Sequence, residues 1–198
     1  MRISAEFYNQ NALDLAKNLL GKILVRKTDD KLVKCKIVET ESYIGPEDKA
    51  CHAYNDKRTK RTEVMFWEGG HAYIYLIYGM YNCLNIVANG KEKPEAVLIR
   101  GVEPLNEIEI LKAKRNIKSK KIQDLTNGPG KLCKALDITK ELNGYDLIHG
   151  DELYIVENDE EFEIVEDKRI NIDYAEEYKD KLWRFYIKNN KFVSVKKR

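Results

Sequence analysis

The stretch Ala72-Tyr-Ile-Tyr-Leu-Ile-Tyr-Gly-Met-Tyr-Asn-Cys-Leu-Asn-Ile-Val-Ala-Asn-Gly90 decides the kind of fold this chain adopts. Aromatic and branched residues crowd Ala72 to Tyr78, which is strand composition. Gly79 breaks the run, Tyr81 to Ala88 resumes it, and Asn89-Gly90 closes it with a turn signal. Two strands this close read as a hairpin. Working outward, Ile23 to Arg26 and Leu32 to Tyr43 read as a second pair, joined by the polar turn at Asp29-Asp30 and ended by Gly45-Pro46. Ala96 to Val102, closed by Pro104, is a further strand. Leu153 to Val156, Phe162 to Val165 and Arg184 to Ile187 follow, with Phe192 to Val195 as a partner for the last. Ala12, Leu13, Ala16, Leu19 and Leu20 recur at helical spacing before a stop at Gly21. Residues 105–117 read as a helix with Ile108 and Leu111 inward. Asn127-Gly128-Pro129-Gly130 opens a short helix that turns Leu132, Ala135 and Leu136 to the core. Short turns joining mostly strands predict one α+β domain over residues 1–198. Its core is a largely antiparallel β-sheet, with flanking helices and a protruding β-hairpin.

Composition narrows the class. The 198 residues are 43% hydrophobic and 34% charged, with a net charge of +2. A chain of this length buries roughly 70% of its unfolded surface and needs no staples. No apolar run approaches the roughly 18 residues of a membrane span, and the N-terminus lacks a signal-peptide core. The expected setting is therefore the cytoplasm, with no membrane partner. Cys35, Cys51, Cys83 and Cys133 form no Cys-x-x-Cys pair. Reduced cysteines are expected in preference to a Cys51/His52/His71/Cys83 metal site. The charges are segregated: Lys57 to Arg61, Lys112 to Lys121 and Lys196 to Arg198 are basic, and Glu157 to Asp167 is acidic. Such segregation lets a near-neutral protein face a polyanion. A solvated surface is the plainer account of any one cluster, but Arg58, Lys60 and Arg61 sit between the acidic strand and the tyrosines, which favours binding.

The residues that could carry chemistry are concentrated between Ile37 and Asn85. Alternation along a strand puts Glu39, Glu41 and Tyr43 on one side. A carboxylate so placed can take a proton from water, and spacing does not choose between Glu39 and Glu41. Tyr73 and Tyr75 share a face and could simply be core. Tyr78, at a hairpin tip against Gly79, has the shape of a wedge that enters a base stack. His52 lies between Tyr43 and Tyr75 in sequence and could join them as a ring platform. The run from Asn127 to Lys131 suits an anion such as a DNA phosphate, or is a plain helix start. No G-x-S-x-G, HExxH, GxGxxG or P-loop spacing occurs, so those enzyme classes lack support.

Together these motifs resemble the 3-methyladenine DNA glycosylases of the alkyladenine (methylpurine) type. The likeness runs from Ala16 to Val25, through Ile37 to Asp48, Arg61-Thr62, Tyr73 to Asn85, Val97 to Arg100 and Asn127 to Leu136, to Arg184-Phe-Tyr186 and Val193-Ser194. It implies a monofunctional enzyme without lyase activity or cofactor, acting as a monomer on double-stranded DNA that contains alkylated or deaminated purines. It implies Glu41 as the base that activates water and Arg100 beside the water and the phosphate. It implies Tyr43, His52 and Tyr75 around a flipped base, Asn85 excluding guanine, and Tyr78 intercalating. Arg58, Lys60, Arg61 and Lys131 are expected on DNA phosphates. The chain departs from the family pattern at Ser42 (usually alanine), Lys60 (usually proline) and Asn171 (usually glycine).

Overall fold

In a computed structural model that describes residues 1–28 and 30–195, eight strands form one sheet. They are β1 (Ile23–Thr28), β2 (Lys31–Ile44), β3 (Ala72–Ile77), β4 (Tyr81–Ala88), β5 (Glu95–Pro104), β6 (Leu153–Val156), β7 (Ile164–Asp167) and β8 (Arg184–Ile187). The order is β3-β4-β5-β2-β1-β6, with β8 beside β2 and β7 beside β8. Every pairing is antiparallel. The α+β class and the antiparallel sheet are thus as expected. Asp29 of the first turn, and the basic Lys196 to Arg198, lie outside the described residues.

β2 organises this sheet because it is long enough for three partners. Its first half pairs with β1, its second half with β5 along one edge, and Glu39 to Glu41 with β8 along the other. The β2–β5 register slips at Val38 and again at Arg100, where Glu39 faces Gly101 but Thr40 faces Ile99. Bulges of this kind re-aim side chains and are frequent beside active sites. Here the slip carries the Arg100 side chain to both Glu39 and Glu41.

The two faces of the sheet differ. Helix α2 (Ala12–Asn18) buries Leu15 and Ala16 against one face, and Thr40 Oγ1 donates to the Ala16 carbonyl at 2.8 Å. α3 (Ile108–Arg115) and α4 (Pro129–Ala135) close the same core with Leu111, Leu132 and Ala135. A short helical turn, α1 (Ala5–Tyr8), precedes α2 and has no amphipathic signal to announce it. Along β3, Ala72 and Ile74 join the helix-side core, while Tyr73 and Tyr75 join a second cluster with Cys51, Met65 and Phe66. That second face carries the site.

One expected strand is absent. Residues 192–195 are turn and bend, because side chains take their backbone groups. The Phe192 N–H donates to Asn190 Oδ1, the Ser194 N–H to Glu39 Oε2, and the Val195 carbonyl accepts Arg184 Nη1. Gly101 permits this close approach, since a Cβ there would lie 2.7 Å from the Phe192 carbonyl oxygen. The acidic stretch is likewise accounted for internally. Glu157, Glu160, Glu163 and Glu166 pair with Lys22, Lys36, Lys188 and Lys17. No helix among the described residues is long and apolar enough to cross a membrane.

Candidate active site

A cavity of about 690 Å³ opens beside the cluster that holds Tyr73 and Tyr75, and it reaches Arg115 of α3 and the first residues of α4. Tyr43, His52, Arg61, Tyr75, Asn85 and Arg100 line it. They come from β2, β3, β4, β5 and the 45–62 loop, so the fold gathers residues that the sequence spreads over fifty positions and more. The His52 and Tyr75 ring centroids are 4.6 Å apart in an edge-to-face contact. The Arg61 guanidinium sits 5.0 Å from the Tyr75 ring centroid. A flat ring entering this space would meet aromatic faces on more than one side.

His52 is held from both ends. Its Nδ1 lies 2.9 Å from the Tyr73 hydroxyl and its Nε2 lies 3.4 Å from Arg61 Nη2. A guanidinium only donates, so Nε2 accepts and the proton sits on Nδ1. Burial, with Arg61 adding to it, pushes the imidazole down to about 4. His52 is therefore neutral at physiological pH and adds no positive charge to the cavity wall. Burial, reinforced by Glu41, also raises the Tyr43 phenol well above its usual value, so it stays a donor. Asn85 is buried, with Nδ2 donating to the Tyr73 carbonyl at 3.0 Å, which fixes its amide in the wall.

The two glutamates left open by spacing have different surroundings. Both are fully buried and both face Arg100. Glu39 accepts from Arg184 Nη1 at 2.9 Å, Ser194 Oγ at 2.9 Å, the Ser194 N–H at 2.6 Å and Arg100 Nε at 3.4 Å. A carboxylate has about four lone-pair sites, so Glu39 is saturated. Glu41 accepts hydrogen bonds from the Tyr43 hydroxyl at 2.8 Å and the Ile170 N–H at 2.7 Å, with Arg100 Nη1 3.4 Å away. It keeps acceptor capacity. It stands one layer behind the cavity lining, with Tyr43, Arg100 and Ile170 in front of it. Burial alone would lower the Arg100 pKa, but Glu41 and Glu39 outweigh it and keep the guanidinium charged.

At the mouth of the cavity the β3–β4 hairpin ends in an apolar tip. Tyr78 is 77% exposed and Met80 67%. The Met80 N–H donates to the Ile77 carbonyl at 3.2 Å, and both central residues, Tyr78 (φ 53°) and Gly79 (φ 69°), are left-handed. Positive φ at both central residues is the type I′ combination, here within a three-residue tip between the paired Ile77 and Tyr81. A tyrosine in that conformation is strained, and strain of this kind collects at functional sites.

The basic residues divide. Arg61 and Lys131 line the cavity, with Lys131 Nζ on Asn127 Oδ1 at 2.8 Å. Arg58 and Lys60 are not in the lining, and Arg58 is engaged by Glu63 and Glu92. Sequence reasoning missed Arg115, Ile170, Asn171 and Tyr174, which all line the cavity. It also missed Arg169 and Asp48, which lie behind its wall. Asn171 has φ 58°, a left-handed conformation that glycine adopts freely and asparagine tolerates. Ser42 is buried with its Oγ unpartnered among the described residues. Those residues contain no cluster of three or more His, Cys, Asp or Glu able to hold a metal.

Known proteins place this geometry in context. The model of the methylpurine-DNA glycosylase family matches residues 6–191. A protein of Natranaerobius thermophilus named "putative 3-methyladenine DNA glycosylase" is 51% identical over 197 residues, covering 98% of this chain and 100% of the relative. A protein of the same name from Clostridium novyi is 53% identical over 201 residues, covering 98% of this chain and 99% of the relative. A third, from Clostridium acetobutylicum, is 50% identical over 205 residues and covers 100% of both chains.

Proposed function

Because the chain belongs to the methylpurine-DNA glycosylase family, we propose that residues 1–198 act as one monofunctional DNA glycosylase domain. In this reading it works as a monomer on cytoplasmic, nucleoid-associated duplex DNA and hydrolyses the N-glycosidic bond of 3-methyladenine and related purines. Tyr78 enters the stack in place of the damaged nucleotide, whose base turns into the cavity. Tyr43, His52 and Tyr75 enclose it. Alkylation leaves the purine cationic, and aromatic faces attract a cation. Neutral His52 does not oppose it. Asn85 crowds the amino group of unmodified guanine. Arg61, Lys131 and Arg115 line the cavity where the backbone phosphates would pass, and Arg58 and Lys60 lie outside it.

In the chemical step a water oxygen attacks C1′ as the C1′–N bond breaks. The base leaves with the bonding electron pair, which neutralises its charge. Glu41 accepts the proton from the water, and its carboxylate and Arg100 balance the oxocarbenium-like sugar and the phosphate. The observation that carries this reading is the contrast between the carboxylates: Glu39 is saturated, whereas Glu41 has acceptor capacity left behind an aromatic cavity.

The test is base release from methylated duplex DNA by wild type and Glu41→Gln, with products separated by chromatography. Release of 3-methyladenine by wild type alone is expected. Release by neither, with tight binding by both, would make the chain a damage binder and overturn the enzymatic reading.

A further inference from the structure

We propose that Arg169 is a positioning residue for the reaction, acting on Glu41 through both of that carboxylate's hydrogen-bond donors. It rests on the reading of Glu41 as the base. The buried guanidinium forms a bidentate pair with Asp48, Nη1 to Oδ2 at 2.5 Å and Nη2 to Oδ1 at 2.8 Å, and both side chains are sealed from solvent. Nη1 also donates to the Ser42 carbonyl at 2.9 Å, and Nη2 to the Tyr178 carbonyl at 3.3 Å. The guanidinium carbon lies over two rings, 4.7 Å from the Tyr43 centroid and 5.0 Å from that of Trp183.

Each of these contacts bears on Glu41. Ile170, whose N–H holds Glu41 Oε1, is the next residue in the chain, so the fork that fixes Arg169 fixes that N–H. Tyr43, whose hydroxyl holds Glu41 Oε2, carries the Arg169 charge against its ring. The Ser42 carbonyl ties the same guanidinium to β2 between Glu41 and Tyr43. Asp48 belongs to the loop after β2, and Arg169 to the segment after β7. One ion pair therefore joins the two segments that flank the glutamate, 121 residues apart in sequence. A planar five-donor fork makes all these bonds at once, which a lysine cannot do. Burial alone would lower the guanidinium pKa, but Asp48, Tyr43 and Glu41 outweigh it and raise it.

The experiment compares wild type, Arg169→Lys and Asp48→Asn with Glu41→Gln. Single-turnover base release from methylated duplex is measured beside affinity for duplex carrying a tetrahydrofuran abasic-site analogue. Circular dichroism at the assay temperature reports the folded fraction, and Asp48→Asn serves if Arg169→Lys does not fold. The expected result is a rate lower by about 10- to 100-fold, the scale of an ångström-level misplacement, with affinity within about twofold of wild type. An unchanged rate would overturn the proposal. So would rate and affinity falling together in step with the folded fraction, since that is what a purely structural ion pair produces. If Glu41→Gln itself kept the wild-type rate, the reading of Glu41 as the base would be the part that failed.

Discussion

Replacing Tyr78 with glycine should make the free protein more stable and, under the proposed function, base excision slower, because that reading gives one residue both the strain and the wedge. The left-handed backbone at φ 53° costs a side chain about 1–2 kcal/mol. Glycine recovers this, less about 0.5–1 kcal/mol for the freedom it adds to the unfolded chain. The ring is 77% exposed, so little packing is lost with it. The net gain is about 0–1.5 kcal/mol, and in a domain of this size each kcal/mol raises the melting temperature by about 2–4 °C. Against this, a ring stacked on a base contributes about 1–3 kcal/mol, so excision from duplex should slow by roughly 5- to 150-fold.

Tyr78→Ala is the control that separates the two effects. Alanine loses the ring but keeps the Cβ, and so the strain. Both variants should be slow in single-turnover base release, and only the glycine variant should gain stability in thermal or urea unfolding. If glycine slowed nothing, the hairpin tip would not be a wedge. If it lowered the melting temperature by several degrees, the left-handed tyrosine would be held by contacts that outweigh its strain.

Two further outcomes follow from the site. Since the folded protein holds His52 down to about 4, the unfolded chain binds more protons between that value and the ordinary histidine range near 6.5. Stability should therefore fall as pH drops through that window. His52→Gln should flatten this part of the profile in urea titrations at pH 7 and pH 5, and an equal slope in both proteins would remove the neutral imidazole from the account. At Asn171, whose φ is 58°, Asn171→Gly should fold as well as wild type within about 1 kcal/mol, whereas Asn171→Val should lose more than that, because a β-branched residue is a genuine outlier there. Melting curves of the pair decide it.

The residues differ in how openly the sequence displays them, and the difference follows the range of the forces involved. The hairpin is legible because its cause is local: alternating aromatic and branched residues, a glycine at the tip, a turn signal at its end. The strand Lys31–Ile44 is legible for the same reason, and with it the common face of Glu39, Glu41 and Tyr43. The choice between the two glutamates is not local. It depends on Arg184 and Ser194, which reach Glu39 across 145 and 155 residues, and on Ile170, which reaches Glu41 across 129. Resemblance to a family picks Glu41, but the physical ground for the choice exists only after β8 has paired with β2. The missing strand at Phe192 to Val195 has the same origin. Its apolar residues invite pairing, yet the fully buried Glu39 side chain takes the Ser194 N–H and hydroxyl that an edge strand would need. Arg169 shows the limit most sharply. Nothing in the spacing of Arg-Ile-Asn-Ile marks it, because its partner Asp48, its flanking rings and the glutamate it steadies all arrive from other parts of the chain. Sequence pattern exposes groups that face the substrate, since they cluster on strands with a visible period. The groups that aim them are chosen by the tertiary fold, and single substitutions such as Arg169→Lys are needed to find them.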